Sequence, residues 1–285
     1  MKALPIYLEP WAAKRAKTGK FRFVALLMRA AEGLGYKSEI VAYDPLASLA
    51  LDPDDETPAL YWRMRPATKG GRVFREAWQA PYWRIERSYE RWAWQIAMSE
   101  FDEGAVDRSE AKAFCRRLRD RHDLHQAQGN ATIIALQADF LRHRSFQTMA
   151  PIDMIRDVAA KVDGPIRIVT HPNVDPTEEE RAALLRVTTD PRITLHKGPT
   201  QPFLPDGKAF VTQNSTTALP AWLSGLPVTL YAKSDFHHIN APLGSSVSSK
   251  RIEAYVYWFL SQHVIRAGQR DVIDQIRNRL VTLGF

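Results

Sequence analysis

Residues 209–231 read AFVTQNSTTALPAWLSGLPVTLY, and this stretch decides the fold class. Its apolar start, 209–212, predicts a buried strand that passes directly into polar residues. Residues 215–224 predict a helix, because their apolar side chains recur at helical spacing. Gly225 favours the end of this helix, and Pro227 begins the next apolar run. The stretch is typical of a strand–helix–strand unit in an α/β protein.

The same alternation of strands and helices precedes this stretch. Short apolar runs predict strands over 132–136, 165–170 and 193–196, and helices are predicted between them over 151–161 and 177–187. Strands that alternate with helices of this length imply a parallel, doubly wound sheet. Right-handed crossovers bring the carboxyl ends of its strands to one edge, where ligands of such sheets bind.

The N-terminal part of the chain has a less regular pattern. A βαβ unit is predicted from a strand over 3–8, a helix over 21–31 and a strand over 38–43. A further strand is predicted over 59–64, and aromatic and apolar residues at helical spacing predict a helix over 82–98. Most of the tryptophans lie in this part. We interpret them as core packing, with platforms that stack sugars as the alternative.

The polar segment 122–130 is the predicted boundary between two domains. It follows an Arg-rich predicted helix and precedes the regular alternation. The sequence therefore predicts a small, irregular α/β domain over 1–128 and a second α/β domain over 129–285. The final helices, predicted over 251–265 and 270–280, are expected to pack on the sheet and return to the first domain.

The charge of the chain favours anionic partners. It has 39 Lys and Arg against 32 Asp and Glu, a formal net charge of +7. Such a surface attracts nucleic acid, an anionic membrane face, or phosphorylated and acidic sugars. The densest basic cluster is interpreted as a solvated helix face, or as a surface that rests on anionic lipid or an acidic glycan. Its members are Arg116, Arg117, Arg119 and Arg121. No helix-turn-helix, RRM or zinc pattern occurs, so no nucleic-acid partner is expected.

Cysteine usage and hydropathy bear on localisation. Cys115 is the sole cysteine, which excludes an internal disulfide and a Cys-based zinc site. No apolar run approaches the ~18 residues of a membrane span, and the first residues lack the apolar core of a secretory signal. The expectation is a cytoplasmic protein, with peripheral contact at the inner membrane face.

The polar segment after the 209–212 strand carries the strongest chemical signal. Gln213 and Asn214 lead into three hydroxyl residues, 215–217, that open the predicted helix. The first N–H groups of a helix lack intrahelical partners and lie at the positive end of its dipole. One hydroxyl is enough for a cap. We therefore interpret the segment as a phosphate site without a P-loop, with simple N-capping as the alternative.

Two further polar segments follow neighbouring predicted strands. His171 comes directly after the 165–170 strand, and Pro172 holds it in an extended conformation. Its imidazole can donate to a phosphate or to a nucleotide ring. Gln137 and Asp139 follow the preceding strand of the predicted sheet. Taken alone, each of these is an ordinary loop segment.

The order of these motifs resembles a known family over residues 130–231. Leu-Gln-x-Asp, His-Pro, and then Asn-Ser-Thr with a helix and Gly-x-Pro-Val are similar to the C-terminal half of bacterial capsule-polysaccharide glycosyltransferases, which include β-Kdo transferases. The His-Pro feature also resembles one in bacterial sialyltransferases. The resemblance implies a GT-B fold, with two Rossmann-like halves of parallel, doubly wound sheets and the active site between them. The first half would be the acceptor side.

The resemblance also implies residue roles. Its His-Pro and Ser/Thr motifs bind the donor nucleotide, typically CMP, which assigns nucleotide binding to His171, Pro172, Asn214, Ser215, Thr216 and Thr217. Gln137, Asp139, Gln213 and His237 are assigned to the lining of the cleft. No metal and no cofactor are expected, because helix dipoles and His171 can stabilise the leaving phosphate.

The family carries an acidic-acidic-Gly motif that supplies a catalytic carboxylate. The candidate in this sequence is Asp102-Glu103-Gly104. Either carboxylate can act as base toward an acceptor hydroxyl, or as nucleophile at the anomeric carbon. The alternative is the N-terminus of an ordinary helix, with Asp107 and Ser109 near its cap.

These expectations add up to one leading function. The chain would move a sugar, Kdo or another acidic sugar from a CMP donor, to a glycan or lipid-linked acceptor in surface polysaccharide synthesis. The alternative is a relative that binds nucleotide or sugar and has lost the reaction, which the short first half favours.

Overall fold

The computed structural model describes residues 1–285, which form two compact units. Unit 1 combines Met1–Met98 with His263–Phe285, and unit 2 is Ser99–Gln262. The strands are β1 Lys2–Leu8, β2 Tyr36–Ala42, β3 Ala59–Trp62, β4 Gly71–Glu76, β5 Tyr82–Glu86, β6 Ala131–Ala135, β7 Ile166–Thr170, β8 Ile193–Lys197, β9 Gly207–Thr212, β10 Val228–Leu230 and β11 Ile265–Arg266. The α-helices are α1 Pro10–Lys17, α2 Arg22–Glu32, α3 Pro45–Ser48, α4 Gln95–Met98, α5 Arg108–Arg121, α6 Pro151–Lys161, α7 Glu178–Val187, α8 Ala218–Leu223, α9 Ser249–Tyr257 and α10 Val272–Thr282.

Unit 1 is built on a six-stranded sheet in the order β11-β5-β4-β3-β1-β2. Strands β1 to β4 are parallel to one another, whereas β5 runs antiparallel to both of its neighbours, β4 and β11. Alternate residues of β1 point to one face of the sheet, so Leu4 and Ile6 are both buried there. They share one apolar core with Leu27 of α2 and Ile276 of α10. Residues from both ends of the chain therefore form this core.

The predicted helix over 82–98 is wrong, because its first part is the strand β5. All five residues of β5 are buried, and Trp83 stacks on Phe23 with ring centroids 4.2 Å apart. Within β5, Trp83 and Ile85 alternate with the buried Arg84 and Glu86 at strand spacing, and the aromatic residues after the strand made the longer pattern look helical. Only a 3₁₀ turn over Arg91–Ala93 and the short α4 at the end of the range are helical. The predicted helix over 251–265 is also too long. Helix α9 ends at Tyr257, and Ile265 belongs to β11, where it pairs with Trp83 of β5.

Unit 2 is built on a five-stranded, wholly parallel sheet in the order β10-β9-β6-β7-β8. The order of the strands along the chain reverses between β6 and β9, as in a Rossmann sheet. In unit 1 the corresponding reversal lies between β1 and β3, as in a flavodoxin-like sheet. The predicted α/β class with two doubly wound sheets is confirmed, with the first sheet the more irregular one.

The predicted boundary at 128/129 does not coincide with the boundaries of the compact units. The Arg-rich helix α5 belongs to unit 2, where it packs on α9. Arg119 of α5 forms an ion pair with Glu253 of α9 at 3.0 Å, and the Cys115 thiol lies 3.6 Å from the carbonyl oxygen of Glu253. The cap of α5 is Asp107, whose Oδ1 accepts the N–H of Glu110, rather than Ser109.

No helix of the chain combines the length and the apolar character that crossing a membrane requires.

Candidate active site at the carboxyl edge of unit 2

Three loops of unit 2 leave the same edge of its sheet. Ala135, the last residue of β6, pairs with Val169 on one side and with Thr212 on the other, so β6, β7 and β9 end level. The loops that follow carry Gln137 and Asp139, then His171, and then residues 213–217. Neighbouring strands lie ~4.8 Å apart. The β7 and β9 loops therefore start about 10 Å apart, on either side of the β6 loop.

The loop after β9 is fixed to the sheet by its first residues. Gln213 is 1% exposed and donates from Nε2 to the carbonyl oxygen of Met149 at 3.2 Å. Its side chain therefore anchors the loop in the interior and does not line a cleft, contrary to its predicted place. Asn214 donates from Nδ2 to the carbonyl oxygen of Lys233 at 3.2 Å. This bond ties the β9 loop to the segment that follows β10.

The hydroxyl residues of this loop form a turn rather than the start of a long helix. Helix α8 begins at Ala218, not at Ser215, and has only six residues. The Oγ of Ser215 accepts the N–H and the hydroxyl of Thr217, at 3.3 and 2.9 Å. No protein group accepts the N–H of Ser215 or Thr216. An anion at this turn would bind these two N–H groups and the Thr216 hydroxyl rather than the dipole of a full helix.

His171 is exposed and lies just beyond β7. The N–H of Asn173 donates to its Nδ1 at 3.2 Å. In the neutral ring this bond assigns the proton to Nε2, which is not hydrogen-bonded to the protein. His171 therefore presents an N–H donor at the edge of the sheet. Pro172 follows it in the loop and is also exposed.

The loop after β6 is held by one buried carboxylate. Glu180 Oε1 accepts the N–H of Phe140, and its Oε2 accepts the N–H of Thr177, each at 2.9 Å. The Thr177 hydroxyl in turn accepts the N–H of Glu180, which completes a capping box. Glu180 thus links the β6 loop to the segment that follows His171. Within the β6 loop, Gln137 is half-buried, and Asp139 is exposed with a left-handed backbone, φ 61°.

Two cations lie at this edge, and Arg144 is the one that the sequence motifs did not single out. Arg144, in the β6 loop, donates from Nη2 to the carbonyl oxygen of Ala138 at 3.2 Å, and its guanidinium lies 5.3 Å from the centre of the Phe146 ring. The backbone N–H of Lys233 donates to the carbonyl oxygen of Phe146, while its side chain is exposed. The basic run 142–144 directly after Leu-Gln-x-Asp is the pattern from which Arg144 could have been found.

His237 lies in the segment after β10. Its Nδ1 is 2.9 Å from the carbonyl oxygen of Ser234, and its ring stacks on that of His238 at 4.2 Å. Both nitrogens of His238 are used inside unit 2, by the Tyr255 hydroxyl at 3.2 Å and the Ser99 carbonyl oxygen at 2.9 Å. His238 is therefore a structural residue, and His237 keeps Nε2 toward solvent.

Comparison with solved structures identifies the fold. Over 98% of this chain and 99% of the other, the chain is similar to the β-Kdo 2,7-transferase of Thermosulfurimonas dismutans KpsC, with a TM-score of 0.53 and 12% identity. The β-Kdo 2,4-transferase of the same KpsC is similar over 96% and 98%, with a TM-score of 0.50 and 9% identity. The chain has a GT-B-like fold. No protein-family model and no curated protein matches the sequence.

The predicted catalytic carboxylates of this GT-B-like chain already have structural partners in unit 2. Asp102 Oδ1 accepts the N–H of Gly104 at 2.8 Å and so caps a single 3₁₀ turn. Glu103 forms an ion pair with Arg251 of α9 at 3.4 Å. Asp102 is exposed and Glu103 half-buried, so both remain within reach of solvent.

Proposed function

We propose that the chain is a glycosyltransferase that moves a sugar from a nucleotide donor to a glycan or lipid-linked acceptor. One observation carries the proposal: the donors of His171 and of the Ser215–Thr216 turn leave the carboxyl edge of the unit 2 sheet on either side of β6. Ligands of Rossmann sheets bind at this edge, beside the reversal of strand order. The GT-B-like fold of the chain is consistent with this proposed glycosyltransferase function.

The proposed chemistry is the departure of a nucleotide phosphate from the anomeric carbon. Negative charge builds up on the phosphate oxygens as that bond breaks. In this proposal the N–H groups of Ser215 and Thr216 and the Nε2–H of His171 bind these oxygens, and the hydrogen bonds of Asn214 and Thr217 hold the turn. Lys233, whose carbonyl oxygen accepts the Nδ2–H of Asn214, would add an exposed ammonium beside the turn. The nucleotide-sugar enters this proposal as a substrate, and no resident cofactor is assigned.

The finer assignment is a CMP donor with Kdo or another acidic sugar, used in surface polysaccharide synthesis. It is supported by the order of the Leu-Gln-x-Asp, His-Pro and Asn-Ser-Thr motifs, and by the similarity in fold to two Kdo transferases. Gln137, Asp139 and His237 remain proposed lining residues. Peripheral contact with an anionic membrane remains a prediction from the net charge.

A second candidate function is a relative that binds nucleotide or sugar without turnover. The structural roles of Asp102 and Glu103 favour it, because a cap and an ion pair explain both carboxylates without catalysis. In the enzyme, one of these carboxylates acts as a base toward the acceptor hydroxyl or as a nucleophile at the anomeric carbon. In the binder, neither does.

The donor site is tested by binding of CMP, UDP, GDP and their sugars to the whole chain. A nucleotide that binds should raise Tm by mass action. His171→Ala should weaken its binding about tenfold, since a hydrogen bond to a charged group contributes ~1.5 kcal/mol or more. His125→Ala, an exposed histidine elsewhere, is the control and should change nothing. Equal nucleotide affinity in His171→Ala and His125→Ala would refute the site.

The choice between enzyme and binder needs a second pair of variants. Glu103→Gln removes a carboxylate and breaks its ion pair with Arg251, whereas Arg251→Gln breaks the same pair and keeps the carboxylate. For an enzyme that uses Glu103, only the first variant loses turnover while nucleotide binding persists. Asp102→Asn tests the other carboxylate in the same way. Unchanged turnover in both carboxylate variants excludes them as catalytic residues.

A further inference from the structure

Unit 1 contains a cavity of about 690 Å³ at the carboxyl edge of its own sheet. It is lined by Trp11, which follows β1, by Trp62 and Arg63 at the end of β3, and by Glu76 at the end of β4. The order of the strands reverses between β1 and β3, so the cavity lies at the position where doubly wound sheets bind ligands. Its volume falls within the ~300–1,000 Å³ of small-molecule sites.

The cavity has aromatic walls. Trp11 and Phe21 meet the ring of Trp62 edge-on, at 5.4 and 5.1 Å between centroids. Phe21 also approaches Trp83 at 5.8 Å. Trp62 and Trp83 are buried and hold the walls in place, whereas Trp11 is 51% exposed. An exposed indole next to a fixed aromatic wall offers a flat apolar face to a ligand ring.

The charges of the cavity are mostly positive. Arg15, Lys20 and Arg22 line it, and none of them forms an ion pair with a carboxylate. Its fourth cation, Arg63, lies over the Trp62 ring at 4.7 Å and pairs with Glu76, the sole acid of the lining, at 2.8 Å. Three cations therefore have no balancing charge. The first turn of α2 borders the cavity without a side-chain cap or an acidic residue, which adds to the positive potential.

Arg63 also has a strained backbone. Its φ is 58°, in the left-handed region that residues with a side chain rarely adopt, and its N–H donates to the carbonyl oxygen of Phe74 at 3.1 Å. Strain of this kind costs of order 1–3 kcal/mol and clusters at binding sites. The strained residue is thus one whose guanidinium lies over the Trp62 ring in the lining of the cavity.

We infer that this cavity binds a saccharide that carries a carboxylate or a phosphate group. The aromatic walls suit the apolar face of a sugar ring, and the three unbalanced cations suit its negative charge. The assignment of this saccharide as the acceptor rests on the glycosyl-transfer proposal. The binding site itself does not, because its residues all belong to unit 1.

Binding is tested on the whole chain by calorimetry and by tryptophan fluorescence, without any nucleotide. The probes are a disaccharide that contains glucuronate, glucose 1-phosphate, and a neutral disaccharide of glucose. We expect the glucuronate or the phosphate probe to bind at least tenfold more tightly than the neutral one, since a charge-assisted hydrogen bond contributes ~1.5 kcal/mol or more. The carboxylate and phosphate arms show which anion the cavity prefers. Equal affinity for the neutral probe overturns the inference.

Variants place the binding in the cavity. Arg15→Gln and Arg22→Gln should each lower the affinity for the anionic probe about tenfold. Trp11→Ala should lower this affinity about fivefold. Arg29→Gln is the matched control, because Arg29 is exposed near the other end of α2 and does not line the cavity. These residues are exposed, so the variants should keep the Tm of the parent. If the two arginine variants bind the probe as tightly as Arg29→Gln, the inference is overturned.

The two proposals fail separately. A chain that binds nucleotide in unit 2 but no acidic saccharide overturns this inference and leaves the donor site standing. A chain that binds the saccharide in the cavity but no nucleotide supports the cavity and overturns the glycosyltransferase proposal.

Discussion

Replacing Glu180 should destabilise unit 2 and disturb two of the three loops at the candidate site together. Its carboxylate accepts the N–H of Phe140 in the β6 loop and the N–H of Thr177 after the β7 loop. Glu180 is 7% exposed, and Phe140 is also buried. In Glu180→Ala the Phe140 N–H therefore loses its acceptor away from water, and the capping box of α7 is lost.

The expected cost follows from these two bonds. A buried donor left without an acceptor costs ~1–3 kcal/mol. The capping contribution adds ~1 kcal/mol, since Thr177 is exposed and its N–H can turn to water. The sum is about 3 kcal/mol, or roughly 6–12 °C in Tm for a unit of this size. Glu180→Gln keeps one acceptor oxygen and should cost about half as much.

Urea unfolding and calorimetry measure the loss, and Glu179→Ala is the matched control. Glu179 lies in the same first turn of α7 but is exposed, so its removal should cost under about 1 kcal/mol, by the loss of a favourable charge at the helix start. Nucleotide affinity should fall in Glu180→Ala and persist in the control. If Glu180→Ala costs no more than Glu179→Ala, then Glu180 does not hold the two loops.

Three further predictions concern residues away from the loops. Arg279→Ala should cost ~3–5 kcal/mol in urea unfolding, because it removes an ion-pair partner, 2.6 Å away, from a Glu86 carboxylate that is buried; a loss below 1 kcal/mol would contradict a tight pair. Burial raises the pKa of the Cys115 thiol to about 12, so it should resist a thiol reagent at about pH 8 until the chain unfolds; prompt labelling of the folded chain would contradict this. The hydrogen bond from Lys161 lowers the pKa of Asp157, so its carboxylate stabilises the fold above its unfolded pKa, and that contribution is lost as the pH falls through the lower folded value. Asp157→Asn should therefore flatten the fall of Tm between about pH 5 and pH 2, and parallel curves for parent and variant would argue against it.

The sequence predicted secondary structure best in segments where a single hydrophobic period, that of a strand or of a helix, dominates. The strands and helices of unit 2 lie close to their predicted positions, and Thr177 caps α7 as its pattern indicates. The strand period of β5 was missed, although Trp83 and Ile85 alternate with Arg84 and Glu86, because the aromatic residues that follow extend an apparent helical spacing. Periodicity also fails for Ile265, whose place in unit 1 depends on a partner strand more than a hundred residues earlier.

The sequence predicted which edge of the sheet carries the candidate site, but not the hydrogen bonds of its individual residues. The sheet edge shared by Gln137, His171 and the Ser215 turn follows from strand order alone. The interior position of Gln213 could not be predicted from strand order, since it depends on a hydrogen bond to the distant carbonyl oxygen of Met149. The late start of α8 also escapes a local pattern, because Ser215 bonds to Thr217 instead of capping a helix at once.

The return of the chain to unit 1 has a consequence for its biosynthesis. Ile276 and Leu280 complete the core around α2, yet they are translated after the whole of unit 2. On the ribosome, unit 2 is a continuous segment that can close as soon as it emerges. The first 98 residues, by contrast, must wait with their apolar surface uncovered until α10 arrives. Nascent-chain aggregation and chaperone capture should therefore concentrate on Met1–Met98, the segment of unit 1 that is translated before unit 2.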